Sequence, residues 1–224
     1  MNPVVIILGI LIVIVLYLLY IYIYPSNYII ANAADLSKDN PRITDIKNPS
    51  SSRYALGLWI NINSFTNTNV VKIFSRNDNA AITLQVDPAS GPNLEFLITS
   101  TGTTTKVNKL QITDNFPIQK WVCVIISVDN QFIDTYIDGK LVVSTKIPDK
   151  IAPYSNDSNA NPIILGNCDG AISRFTLWTK PLNPQEAYDF YMAGNGIGNY
   201  ISSNYGAKLH IIKDNILSSE IKLF

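Results

Sequence analysis

The segment WVCVIISVDNQFIDTYIDGKLVVST, residues 121–145, decides the fold. Trp121 to Val128 is apolar at almost every position, the pattern of a central strand covered on both faces. Phe132 to Ile137 and Leu141 to Thr145 then flank Asp138-Gly139. That dipeptide supplies the positive φ angles of a two-residue type I′ turn, so the two runs form an antiparallel hairpin of fixed register. Toward the amino terminus, Tyr54, Leu56, Leu58, Ile60 and Ile62 alternate with mostly smaller or polar residues, which predicts a half-buried strand with Trp59 on its opposite face. Val70 to Ser75, Ala81 to Val86, Leu94 to Thr99 and Lys106 to Ile112 are further strands, separated by breaks such as Asn77-Asp78-Asn79 and Pro88-Ala89-Ser90-Gly91-Pro92.

Beyond the hairpin, a loop from Pro148 to Pro162 leads to Ile163-Ile164-Leu165-Gly166 and then to Gly170 through Trp178. Asn183-Pro184-Gln185-Glu186 opens a short helix: Asn caps, Pro takes the first helical position and Glu reaches back to the cap amide. Gly194-Asn195-Gly196 stops it. Many short antiparallel strands with almost no helix predict an all-β, two-sheet antiparallel jelly-roll sandwich over residues 54–193, because a single sheet this apolar would leave one face wet. Residues 194–224 form a tail with two strand-like runs, Ala207 to Ile212 and Ile221 to Phe224, turning at Lys213-Asp214-Asn215, a candidate extra hairpin.

The first two dozen residues belong to no sandwich. From Val4 to Tyr24 the side chains are apolar or aromatic apart from Gly9, and no charged side chain precedes Asp35. At a rise of ~1.5 Å per residue the run makes a helix of about 30 Å, the thickness of a bilayer core. Residues 1–24 are therefore expected to be a transmembrane anchor, with Val4, Leu11, Leu16, Tyr20 and Tyr24 facing lipid and the tyrosines gathered at the membrane–water boundary. A signal peptide fits less well, since the positive n-region is missing and Ala31-Asn32-Ala33 lies well past the apolar run. Residues 25–53, with Pro25, Asn40-Pro41 and Asn48-Pro49, are expected to be a stalk. Lys38 and Arg42 and the low cysteine count favour a single-pass protein with its domain in the cytosol, whereas the Asn156-Asp157-Ser158 sequon points the other way.

Among 224 residues, 17 Lys and Arg balance 17 Asp and Glu, and the basic residues are scattered, which argues against a nucleic-acid partner. Two cysteines, Cys123 and Cys168, make no disulfide framework and no zinc spacing. Glycoside hydrolysis needs two carboxylates on one face, two or four positions apart on a strand, and none of the glutamates, Glu95, Glu186 and Glu220, has such a partner. Asp134 and Asp138 do have that spacing, but Asp138 serves the turn. His210, the single histidine, sits in an apolar run. The expectation is a protein that is not an enzyme and carries no cofactor, although Asp78, Asp157 and Asp169 on expected loops offer hard oxygen ligands for the calcium that the resemblance below implies.

The order of elements resembles the concanavalin A-like jelly rolls, and within them the laminin G and pentraxin-like modules. The resemblance rests on Lys120-Trp121-Val122, Tyr136-Ile137-Asp138-Gly139-Lys140-Leu141, Ile164-Leu165-Gly166, Gly170 through Trp178, and Pro181-Leu182-Asn183-Pro184-Gln185-Glu186-Ala187, with Tyr54 to Asn63 as the opening strand. It covers about Arg53 to Ala193, and it implies calcium-binding loops or a glycan site, for which Tyr154 and Trp178 are the candidate aromatic platforms. With its anchor and an Asn-, Ile- and Lys-rich composition that suggests an A/T-rich genome, the chain also looks similar to small virion membrane proteins of large double-stranded DNA viruses. That likeness implies a non-catalytic, membrane-anchored structural protein, a minor capsid or virion membrane protein. It would sit in the virion internal membrane with its domain facing the capsid proteins. The alternative is a membrane-displayed, lectin-like carbohydrate-binding module.

Overall fold

The computed structural model describes residues 3–23, 26–38, 40–46, 51–64, 70–76, 82–87, 91–101, 105–151, 162–166, 168–196, 208–213 and 216–222. The long apolar strand predicted at residue 121 is β7 (Val122–Asp129), and every residue from Val122 to Val128 is buried. It lies between β2 (Arg53–Ile62) and β8 (Phe132–Ile137), and β9 (Lys140–Lys146) closes that edge of the sheet. On the other side of β2 come β12 (Gly170–Trp178) and β1 (Asn27–Asp35), giving a six-stranded antiparallel sheet in the order β1-β12-β2-β7-β8-β9. The second six-stranded sheet runs β10-β5-β4-β3-β11, with β6 paired to β5; its strands are β3 (Val71–Arg76), β4 (Ile82–Asp87), β5 (Asn93–Thr101), β6 (Thr105–Thr113), β10 (Lys150–Ile151) and β11 (Ile163–Leu165). The all-β two-sheet sandwich read from the sequence is therefore present.

Period-two alternation explains the core between the sheets. Tyr54, Leu56, Leu58, Ile60 and Ile62 of β2 and Val122, Val124, Ile126 and Val128 of β7 point inward, against Phe74, Leu84, Val86, Phe96, Ile98 and Phe175. The hairpin between β8 and β9 turns on Asp138 and Gly139, whose φ angles of 47° and 75° are those of the expected type I′ turn.

The other face of the first sheet is also buried. Ala55, Trp59, Cys123, Ile125, Tyr136 and Trp178 form a second cluster with Leu182, Ala187 and Phe190, because the helix α2 (Pro184–Met192) packs there. Its start is the predicted capping box: Asn183 Oδ1 accepts from Glu186 N at 2.9 Å, and Asn183 N donates to Glu186 Oε2 at 3.0 Å. Its far end is held by Arg174, whose guanidinium donates to the Gly194 carbonyl and lies 4.9 Å from the Phe190 ring centre.

One expectation fails outright. Residues 25–53 are not a stalk, since Asn27 through Asp35 pair along the whole of β12 from Trp178 to Ala171 as an edge strand. Leu36 and Ile46 are buried in the main core, and Ile43 bridges Ile163. Of the breakers read as linker, Asn40-Pro41 lies between β1 and the Ile43 bridge, and Pro25 and Asn48-Pro49 lie outside the described residues; the Asn, Ala and Asp residues that end NYIIANAAD disfavour a strand, but an existing strand edge offers the segment a hydrogen-bond ladder.

Upstream, α1 (Pro3–Ile23) is a 21-residue helix. Its side chains are described over 6–19, where Leu11 is 55% and Leu16 60% exposed. Among these described side chains no helical stretch is long and apolar enough to cross a membrane, so the span expected over residues 1–24 is not shown by the structure. Tyr24 lies outside the described residues, and for Val4 and Tyr20 only the helical backbone is described. In the tail, β13 (Lys208–Lys213) and β14 (Ile216–Lys222) form a two-stranded sheet of their own, the second strand starting well before the expected Ile221.

Candidate functional site

A concave, mixed apolar and polar surface lies beside the β8–β9 turn. It is a groove of about 590 Å³ walled by Ile137, Asp138, Lys140 and Val142 from the hairpin, Thr113 from the end of β6, and Tyr188 and Tyr191 from α2. α2 places these tyrosines because Ala187 and Phe190, three positions apart, are the buried stripe that seats it on the sheet. Tyr188 and Tyr191 then fall on its flank, 6.3 Å apart between ring centres and tilted by 45°. Tyr191 stacks on Trp59 at 5.7 Å and 19°, which fixes the ring from below. Tyr188 stays 46% exposed.

The hairpin tip meets the tyrosines through a glycine. A Cβ at Gly139 would lie 3.1 Å from Tyr188 Cδ2 and 3.2 Å from Tyr191 Cβ, so both the positive φ and the close approach require the residue found there. Asp138 is aimed by the neighbouring strand: its Oδ1 accepts from Cys123 N at 2.9 Å while its own N donates to Cys123 O at 2.9 Å. The result is a pair of aromatic rings with an oriented carboxylate and an exposed Lys140 ammonium at the rim. Under Tyr191, the buried Trp59 indole Nε1 has no hydrogen-bond partner among the described residues. Such a surface suits a ligand that is apolar on one side and hydroxylated at its edges.

The candidates named from sequence fall elsewhere. Trp178 is no platform: it is 6% exposed, stands edge-on to Phe190 at 5.0 Å and packs over Gly57. Its place in an aromatic-rich strand concealed that the face it occupies is roofed by α2. Tyr154, Asp78 and Asp157 lie outside the described residues. Asp169 fastens the end of β2 to the loop before β12, with Ser64 Oγ donating to its Oδ2 at 2.6 Å and Asn63 Nδ2 to its Oδ1 at 2.9 Å. Those bonds hold its carboxyl below the usual range. Among the described residues no three His, Cys, Asp or Glu side chains converge as metal ligands.

Glu95 is a buried carboxylate on the outward side of the second sheet. It accepts from Gln85 Nε2 at 2.9 Å and pairs with Lys109 Nζ at 2.5 Å. Its cross-strand partners are Gln85 and Gln111, both amides, so the paired-carboxylate geometry of a glycosidase is not formed around it. Cys123 is a fully buried filler whose thiol burial pushes up, and Cys168, also partly buried, is pushed up to about 11; neither is activated as a nucleophile.

Comparison with known proteins agrees with the architecture. None of the curated proteins matches the sequence. Among solved structures, the HCR/D F1240A mutant superposes with a TM-score of 0.57 at 18% identity, covering 73% of this chain and 43% of that one. The botulinum neurotoxin serotype D ligand binding domain in complex with N-acetylneuraminic acid gives 0.56 at 17%, covering 74% and 43%. The receptor binding domain of the mosaic serotype C/D neurotoxin, with tetraethylene glycol on its Hcn sub-domain and a sulfate ion at its putative active site, gives 0.51 at 17%, covering 64% and 37%. This chain thus spans less than half the length of each, and the likeness is one of fold. The profile described as the concanavalin A-like lectin/glucanases superfamily, Laminin_G_3, matches residues 36–187, and with that the chain belongs to this family.

Proposed function

We propose that the protein is a non-catalytic, membrane-tethered glycan-binding module that takes a sugar into the Tyr188–Tyr191 groove. The groove itself carries this reading: two tyrosine rings, one stacked on Trp59, beside the Asp138 carboxylate and the Lys140 ammonium. A pyranose presents C–H bonds on one face and hydroxyls around its edge, so it can lie on a ring while a carboxylate and an ammonium take its hydroxyls. The fold supports it, since the family includes lectins and one structural neighbour is a complex with N-acetylneuraminic acid. The tether rests on α1, whose 21 helical residues reach ~31 Å at ~1.5 Å each and whose described side chains are all exposed apolar or aromatic residues apart from Gly9. No observation favours a capsid partner over a glycan.

A glycan array probed with the full chain in detergent tests the reading. Binding to a defined set of glycans that falls at least about tenfold in Tyr188→Ala, the loss of one ring contact of ~1.4 kcal/mol, supports it. Binding that is absent across the array, or unchanged in that variant, removes it.

A further inference from the structure

We infer that the sandwich stands end-on upon the phospholipid surface, with the tyrosine groove at its far tip, an inference that rests on the tethered reading above. Covalent reach sets the first constraint. Only Tyr24 and Pro25 separate the last helical residue, Ile23, from Ser26, and three peptide steps span at most about 11 Å. Ser26 is not loose: its carbonyl accepts from Thr179 N at 2.9 Å and from Thr179 Oγ1 at 3.3 Å, at the very start of β1 and the end of β12. A helix ending at the lipid boundary therefore holds that end of the first sheet beside it.

Strand register identifies what else lies at that end. Asn27 pairs with Trp178, Trp178 with Ala55, and Ala55 with Ser127. Arg53, Asp129, Phe132 and Lys146 pair in turn two residues further out, about 7 Å past the level of Asn27 toward the same end. On this rim Phe132 is 53% exposed, with Lys146 Nζ 5.6 Å from its ring centre. Lys150 is exposed nearby, whereas the charges of Arg53 and Lys180 are matched by Asp129 and Glu186. An exposed phenylalanine under an ammonium, with a further exposed lysine, is an amphipathic tip of the kind that settles at the headgroup boundary. β1 and β9 are opposite edges of the sheet, five strand spacings or about 24 Å apart, so tether and tip are two separate points of contact that define the tilt.

The groove belongs to the other end. Five residue steps along β8, about 17 Å, separate Phe132 from the Ile137-Asp138-Gly139 turn, and α2 runs from the tether end at Asn183 back toward that turn. The binding surface therefore points away from the bilayer of its own tether.

Single-cysteine labels read this directly. In the full chain carrying Cys168→Ser, with Cys123 left buried, a fluorophore is placed at Phe132→Cys, Lys146→Cys or Leu141→Cys, the last beside the groove. The chain is reconstituted into phosphatidylcholine vesicles containing some phosphatidylserine, with and without a nitroxide on the headgroups. Quenching several-fold stronger at 132 and 146 than at 141 supports the end-on stance. Equal or reversed quenching in chains that float with the vesicles overturns it while leaving the tether standing; chains that fail to float overturn both.

Discussion

The first sheet buries apolar side chains on both faces, yet the two clusters are built differently. Between the sheets, Leu58, Ile60, Val124 and Ile126 interlock with Phe74 and Phe96 from the opposing strands, all fully buried. Under α2, Trp59, Tyr136 and Trp178 are covered by a helix of nine residues seated through Ala187 and Phe190, and the roof ends at the exposed Tyr188 and the half-buried Tyr191. A sheet roofing a sheet closes its core, whereas a short helix laid on a wide sheet leaves a margin. The groove is that margin.

Substitutions in the two clusters sharpen the contrast. Phe175→Ala removes a ring packed 4.9 Å from Phe74 and is expected to cost ~3–5 kcal/mol, read by urea unfolding; a loss below 1 kcal/mol would mean that the sheets are not packed as described. Gly57→Ala drives a methyl to 2.8 Å from Trp178 Cζ3, an overpacking of ~1–3 kcal/mol, and shortening the ring in Gly57→Ala/Trp178→Leu should recover part of the loss in thermal melts. Asn183→Ala deletes the cap of α2 and should cost ~0.5–2 kcal/mol while also weakening whatever binds the groove, since the tyrosines ride on that helix. Tyr188→Ala, at an exposed site, should change stability by no more than ~0.5 kcal/mol, and a larger effect would make the residue part of the core rather than of the groove.

Acid distinguishes the clusters in a different way. The Lys180 ammonium, and then the Asn183 amide, hold the Glu186 carboxyl below its ordinary value near 4.5. A depressed carboxyl contributes stability above that ordinary value, and the contribution is lost as pH falls through the folded one. Trp59 and Trp178 fluorescence should therefore change on acidification below about 4.5 before far-ultraviolet dichroism of the sheets does, and coincident transitions would show that α2 does not loosen separately.

The strand at 54–62 and the hairpin at 132–145 were legible because alternation and Asp-Gly are local signals that burial then obeys. Trp59 was legible as belonging to the opposite face, but nothing local says what covers that face, and Trp178 was misread for that reason. β1 was hidden because its small residues, Ala31, Ala33 and Ala34, signal no strand; the open edge of β12 recruits them. Tyr188 and Tyr191 were missed although the helix itself was found: with Ala187 and Phe190 taken as its seat, the helical period already places both tyrosines along the boundary of the seat.

That recruited strand separates the boundary of the family from the boundary of the fold. The family match begins at residue 36, one residue after β1 ends, and a chain trimmed to that point would keep every element within the match and still lack an edge strand of the first sheet. From Trp178 to Ala171 the outer edge of β12 would offer bare amides and carbonyls to any passing strand, a second copy of the chain above all. Light scattering of the trimmed protein should then show self-association that restoring Asn27–Asp35 abolishes. The nine residues of β1 would thus act as a stopper against polymerisation, whatever else they help to carry.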